Sequence, residues 1–224
     1  MSQSAAALSQ ATPAREAMIE SQLKPCGIVT PTLIAAFYDI SRAAFVDPAR
    51  KGVAYVDAAQ ALGDGRELMA PISIGHLLEA AAPAEGDDCL VIAAATGYSA
   101  AILARMTRSV VAVEPDAGLA ARARDNLSTF RNVEVVEGPM EEGCAARAPY
   151  SLLLVDGAIE QSLPASLVAQ LAEGGRAAAV VIGNDGVARA SIGRKVAGNL
   201  RLEPFEEAPA SVLPPFRKAP AFRF

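Results

Sequence analysis

Two rhythms of apolar and polar positions divide the chain. Up to about residue 82 the apolar residues recur at helical spacing. Thr12-Pro13 reads as an N-cap followed by proline in the first helical position, and a helix continues through REAMIESQLK until Pro25 and Gly27 stop it. The same pair recurs at Thr30-Pro31, and Leu33, Ile34 and Phe37 then share one helical face. Asp47-Pro48 predicts a short third helix. Residues 55–71, YVDAAQALGDGRELMAP, read as a loop with Gly63 and Gly65 as turn residues. From Pro71, the i, i+3, i+4, i+7 spacing of Ile74, Leu77, Leu78 and Ala81 predicts an amphipathic helix. The first ten residues are small and polar, as in a frayed end.

After the turn PAEGDD the rhythm changes. Short apolar runs at Cys89–Ile92, Val110–Val113, Val133–Val136, Ser151–Val155 and Arg176–Ile182 alternate with helical patterns. Those patterns are Ser99–Met106, the series Leu119, Ala123 and Leu127, and the series Leu163, Leu167 and Leu171, which Gly174-Gly175 should end. Strands separated by helices imply βαβ units and a parallel sheet. The runs are continuous rather than alternating, as expected of strands covered on both faces. The expected organisation is therefore a helical region over 1–82 and an α/β domain over 83–224. In the tail, LRLEPF predicts a strand, and Phe216, Phe222 and Phe224 are apolar enough to dock.

Composition narrows the class. A chain of 224 residues that is 52% hydrophobic can bury a sizeable core. A net charge of −5, with basic residues scattered among acids, argues against a nucleic-acid partner. Cys26, Cys89 and Cys144 are odd in number and far apart, so neither a disulfide framework nor a zinc site is expected, and a reducing cytoplasm suits them. The start lacks a signal-peptide pattern, and no apolar stretch is long enough to span a bilayer.

Ligands of open parallel sheets bind beyond the carboxyl ends of the strands. The residues there are Ala93-Ala94-Ala95-Thr96-Gly97-Tyr98 after the first strand, Glu114-Pro115 after the second, Gly138-Pro139-Met140 after the third and Asp156-Gly157 after the fourth. An acid closing the second strand, Glu114, can accept hydrogen bonds from two ribose hydroxyls; otherwise it is a charged strand end beside a turn. Asp156 either meets a ligand or substrate or forms a turn. Tyr98 either caps a cofactor or packs under its loop.

At this point the sequence resembles the protein-L-isoaspartate O-methyltransferases. The resemblance rests on MIESQLKPCGIVTP, AAFVDPARKGVAYVD, ATGYSAAILARM, VVAVEPDAGLAARARDNL and LLLVDGAIEQSLPASLVAQLAEGGR, and covers about residues 15–185. It implies a Rossmann-like sheet of seven mostly parallel strands with helices on both faces, S-adenosylmethionine as cofactor, and a helical N-terminal region forming one wall of the cleft. It implies carboxyl methylation of L-isoaspartyl residues in a protein or peptide acceptor. The cofactor would meet Ala93, Ala94, Ala95, Gly97, Tyr98, Glu114, Pro115, Gly138, Pro139, Met140 and Asp156. The substrate loop would be Glu67, Leu68, Met69, Ala70 and Pro71.

Three departures from the family's pattern surround this cleft. Its G-x-G-x-G loop, with an acid on the strand, becomes Ala93, Ala95 and Gly97, with Val91 at the acidic position. Alanine disfavours positive φ, so cofactor binding is compatible with these residues if φ stays negative. In the family's Q-T-I-S-x-P loop the threonine becomes Glu67 and the serine Met69; methionine donates no hydrogen bond, and an acid repels an acidic substrate. In its G-D-G segment the aspartate that contacts adenine becomes Pro139. A methyltransferase acting on isoaspartyl carboxylates or another small acceptor is therefore weighed against a catalytically impaired relative with a binding or structural role. His76, the single histidine, lies opposite the apolar face of its helix and is expected on the surface, and the acids are dispersed, so no metal site is expected.

Overall fold

The computed structural model describes residues 12–63, 65–160 and 162–218. The first eleven residues, with the expected frayed end, and Phe222 and Phe224 lie outside them. Helix α1 (Pro13–Met18) starts as its sequence dictates: Thr12 accepts a hydrogen bond from the Arg15 amide at 3.3 Å, and Pro13 fills the first position. It continues through a π turn and a 3-10 turn to Cys26, where Gly27 caps it at φ 83°. Helix α2 (Pro31–Asp39) buries Leu33, Ile34 and Phe37. The Thr30 hydroxyl donates to Glu79 at 2.6 Å rather than capping α2. The stretch at Asp47-Pro48 forms a 3-10 helix, Pro48–Val53.

Residues read as a loop contain a hairpin, β1 (Gln60–Gly63) and β2 (Arg66–Leu68). Its strands are too short to show an alternation. Helix α3 (Pro71–Ala81) follows, with Ile74, Leu77, Leu78 and Ala81 all buried.

The main sheet uses β3 (Asp88–Ile92), β4 (Ser109–Glu114), β5 (Val133–Glu137), β6 (Tyr150–Ile159), β7 (Leu171–Ile182), β8 (Ala188–Val196), β9 (Asn199–Leu200) and β10 (Glu203–Glu207). Its order is β10-β8-β7-β6-β3-β4-β5, with β9 on β8; β3 to β7 are parallel, and the β8, β9 and β10 pairings are antiparallel. The sheet thus has eight strands rather than the expected seven. The expectation missed β8, whose sequence ARASIGRKV offers small and charged residues in place of an apolar run. The predicted strand in LRLEPF is split into β9 and β10.

Helices α4 (Tyr98–Ala104), α5 (Ala117–Leu127) and α6 (Ala165–Gln170) complete the layers. Helix α6 ends before Gly174-Gly175, which lie in the irregular start of β7. β6 runs on through Asp156-Gly157, where its register with β7 shifts, instead of stopping there.

The continuous apolar strands feed two cores. Cys89, Val91, Ala112, Leu152 and Leu154 join one cluster with the N-terminal helices, α3, α4 and α5. Leu90, Ile92, Val113, Leu153 and Val155 join the other with Leu163, Leu167, Leu213 and Phe216. Alternate side chains of each strand thus face opposite layers, so both must be apolar. The Phe216 side chain docks fully buried.

Candidate active site

The carboxyl ends of β3, β4 and β5 bring Ala93–Tyr98, Glu114-Pro115 and Gly138–Met140 to one edge, and Asp156 lies within β6 at its register shift with β7. Between β3 and α4 the chain reverses tightly. Ala94 N–H donates to Val113 O at 3.0 Å, and Gly97 N–H donates to Ala94 O at 2.8 Å. Three alternate residues are left-handed: Ala93 at φ 61°, Ala95 at 51° and Gly97 at 96°. The condition of negative φ at the two alanines is therefore not met. The loop keeps a shape that glycine adopts freely, and alanine accepts a cost of about 1–2 kcal/mol per residue. It persists because its surroundings fix it: the Thr96 hydroxyl donates to Phe45 O at 2.6 Å, and Asn126 Nδ2 donates to Thr96 O at 3.0 Å.

Tyr98 packs under the loop. Its ring meets Phe45 edge-on at 5.4 Å, and the buried Arg42 guanidinium lies 5.0 Å from its centroid. Burial pushes the phenol up to about 12. Arg42 also braces the 67–71 segment, donating to Met69 O at 2.5 Å and to Ala54 O at 2.8 Å. Arg42 escaped the sequence reading because nothing local distinguishes a buried arginine from a surface one.

Glu114 is fully buried, and its carboxylate is saturated. Ala95 N–H donates to Oε2 at 2.7 Å and Asp116 N–H to Oε1 at 3.1 Å. Arg66 grips both oxygens, Nη1 to Oε1 at 2.5 Å and Nη2 to Oε2 at 2.9 Å, and Nη2 also donates to Ala93 O at 3.1 Å. Sequence reasoning missed Arg66. It stands where the Q-T-I-S-x-P pattern has glutamine, which was the available signal, but its partner is 48 residues away.

Past the end of β4 lies an open cavity of about 430 Å³ lined by Pro115, Glu137, Gly138, Pro139, Met140, Glu141 and Pro215, with Glu114 itself outside the lining. Four of the predicted residues meet there; Glu137, Glu141 and Pro215 were not foreseen. On the other side, toward residues 67–71, about 10 Å³ remains between Arg66, Glu67, Met69, Asp156 and the tail residues Ser211–Pro214. That is room for about one water. The tail closes this side. Ser211 O accepts from Ala158 N–H at 2.9 Å, Leu213 N–H donates to Ala158 O at 2.9 Å, and Ser211 N–H donates to Glu67 Oε1 at 2.8 Å. Glu67 thus ties down the tail. Leu68, Met69, Ala70 and Pro71 are buried.

Asp156 is buried as well. Burial raises its carboxyl to about 6, against the opposing pull of the Ser99 hydroxyl, which donates at 2.5 Å, and of Arg66 and Arg42. His76 lies outside the cleft, half-buried on α3 rather than on the surface. Cys89 is buried on its strand and Cys144 partly exposed in a loop; all three cysteines are free thiols. Among the described residues no helix is long and apolar enough to cross a membrane.

The model of the protein-L-isoaspartate(D-aspartate) O-methyltransferase family matches residues 13–204. The chain belongs to this family. A protein-L-isoaspartate O-methyltransferase of Koribacter versatilis (strain Ellin345) is 34% identical over 189 residues, 84% of each chain. Among solved structures, a protein-L-isoaspartate O-methyltransferase superposes with a TM-score of 0.76 at 23% identity, over 89% of this chain and 65% of that longer one. A Plasmodium falciparum relative in complex with S-adenosyl-L-homocysteine superposes with a TM-score of 0.74 at 17% identity, over 89% of this chain and 97% of the other. These two likenesses bear on the fold. They agree with the Rossmann-like architecture described above, and family membership makes this a methyltransferase of the S-adenosylmethionine-dependent class.

Proposed function

We propose that this protein uses S-adenosylmethionine to methylate a carboxylate of a protein or peptide acceptor, the isoaspartyl side chain being the acceptor class its family membership supports best. The observation that carries the reading is the placement of Glu114: a buried carboxylate at the end of β4, braced by two backbone amides and by Arg66, and followed by Pro115, which lines a 430 Å³ cavity. Its oxygens suit a ribose diol. Pro139 and Met140 offer adenine apolar surface, with backbone atoms of Gly138 as polar partners. The residues present therefore fit the adenine end of the cofactor, while the ribose needs Arg66 to leave Glu114 and the methionine end needs the β1–β2 hairpin to move.

S-adenosylmethionine supplies a methyl group on a sulfonium, so that transfer to a carboxylate oxygen leaves a neutral thioether and needs no general base. The contribution of the chain is alignment and exclusion of water. The loop 93–97 sets the floor of the site, Arg42 fixes the substrate loop through Met69 O, and the tail forms the outer wall. Free thiols at Cys26, Cys89 and Cys144 support a cytoplasmic setting.

Calorimetric titration with S-adenosylhomocysteine, followed by measurement of base-labile methyl esters on an isoaspartyl peptide, tests the reading. Saturable binding with ester formation is the expected result. Binding without esters on this peptide points to a different acceptor. Absence of binding at millimolar ligand leaves the catalytically impaired alternative and overturns the proposal.

A further inference from the structure

We propose that Arg66 is a specificity-determining residue: it occupies Glu114 until ribose hydroxyls replace it, and the freed guanidinium then receives the acceptor's carboxylate. The inference rests on the methyltransferase reading above.

The argument begins with lone pairs. An ionised carboxylate offers about four acceptor positions. At Glu114 two are taken by the amides of Ala95 and Asp116, which are fixed by the backbone, and two by Arg66. A ribose diol needs two. The amides belong to the loop itself, so Arg66 is the group that must leave. Hydroxyls are neutral and replace charge-assisted bonds, so cofactor binding works against a bidentate ion pair whose two side chains are 10% and 0% exposed.

Where the guanidinium goes follows from its surroundings. Arg66 opens β2, flanked by Gly65 at φ 72°, and Gly63 at 103° closes β1, so two left-handed glycines sit at the tip of the hairpin. On its other side Arg66 borders the small closed cavity beside Met69, Glu67 and Asp156. Arg66 is the one cation among the residues that line it. Glu67 is engaged by the Ser211 amide, and Met69 offers no donor to a carboxylate. The closed cavity has room for about one water, so the hairpin must open first; a guanidinium released on this side then supplies the bidentate donor that the loop at 67–71 otherwise lacks. Displacement of Arg66 also unlatches the hairpin, so cofactor precedes acceptor.

The test compares the full-length protein with Arg66→Gln and Arg66→Lys, each first checked for a cooperative thermal transition. Arg66→Gln is expected to bind S-adenosylhomocysteine at least tenfold more tightly and to raise KM for an isoaspartyl peptide at least fivefold, with Arg66→Lys between. In the unaltered protein, saturating S-adenosylhomocysteine is expected to speed hydrogen exchange in β1 and β2, a readout that needs no variant to fold. Unchanged or weaker ligand binding by Arg66→Gln, tighter binding with an unchanged peptide KM, or protection of the hairpin by the ligand overturns the inference alone. Absence of S-adenosylhomocysteine binding in both the parent and Arg66→Gln overturns the methyltransferase reading and the inference with it.

Discussion

Gly97 is the one residue of the β3–α4 loop that keeps the glycine of the family pattern, and substituting it separates two costs. It precedes α4 at φ 96°, and a Cβ there would lie 2.7 Å from Leu127 Cδ1 and 3.1 Å from its Cγ. Gly97→Ala therefore adds left-handed strain of about 1–2 kcal/mol and overpacking of about 1–3 kcal/mol. The sum, about 2–5 kcal/mol, is a large part of the about 5–15 kcal/mol that holds a typical domain together. Ala93 and Ala95 already carry the first cost, so strain alone does not explain a retained glycine; the contact with Leu127 does. Denaturant unfolding of Gly97→Ala, Leu127→Ala and the double variant measures both parts. Leu127→Ala alone should cost about 2–5 kcal/mol by opening a cavity. With Leu127 shortened, Gly97→Ala should retain only the strain, so the two changes couple favourably by about 1–3 kcal/mol. A Gly97→Ala protein within about 0.5 kcal/mol of the parent, or strictly additive effects, would refute the reasoning.

Three further outcomes are expected. Ala93→Gly and Ala95→Gly each relieve about 1–2 kcal/mol of strain against about 0.5–1 kcal/mol of added chain entropy. Each should be neutral to slightly stabilising in denaturant unfolding, and a clear loss would show that the φ values are not strained. The Asp156 carboxyl is raised to about 6 by burial, so the folded state holds its proton more tightly than the unfolded state does. Stability from this group is full below about pH 4 and lost as pH rises through about 6, a change of about 3 kcal/mol; Asp156→Asn should lack that decline, and parallel pH–stability curves would refute it. Joint Glu67→Thr and Met69→Ser should raise methyl-ester formation on an isoaspartyl peptide while lowering stability by about 2–4 kcal/mol, because Met69 is buried; stability without any gain in ester would show that this loop does not limit the reaction.

Much of the fold was legible because it is written in local periodicity. Leu33, Ile34 and Phe37, or Ile74, Leu77, Leu78 and Ala81, mark a face by spacing alone, and Thr12-Pro13 marks a start by its hydrogen bond. The central strands announced themselves because both of their faces are covered. β8 did not, since a strand of small and charged residues close to a sheet edge has no apolar signature. The positions of Glu114 and the loop 93–97 followed from topology, because a parallel sheet delivers its strand ends to one edge. What each does there was not legible. The left-handed φ of Ala93 and Ala95 is imposed by neighbours, Thr96 through Phe45 and Asn126, against the local preference of alanine. The grip of Arg66 on Glu114 joins residues 48 apart, and the Glu67 bond to Ser211 joins residues 144 apart. Sequence determined where β3, β4 and β5 end and which of their residues reach the cleft, since spacing and turn chemistry act within a few residues. The tertiary structure decided which carboxylates are already paired and how much of the cleft is shut, since charge pairing and packing depend on distances in space that chain order does not encode.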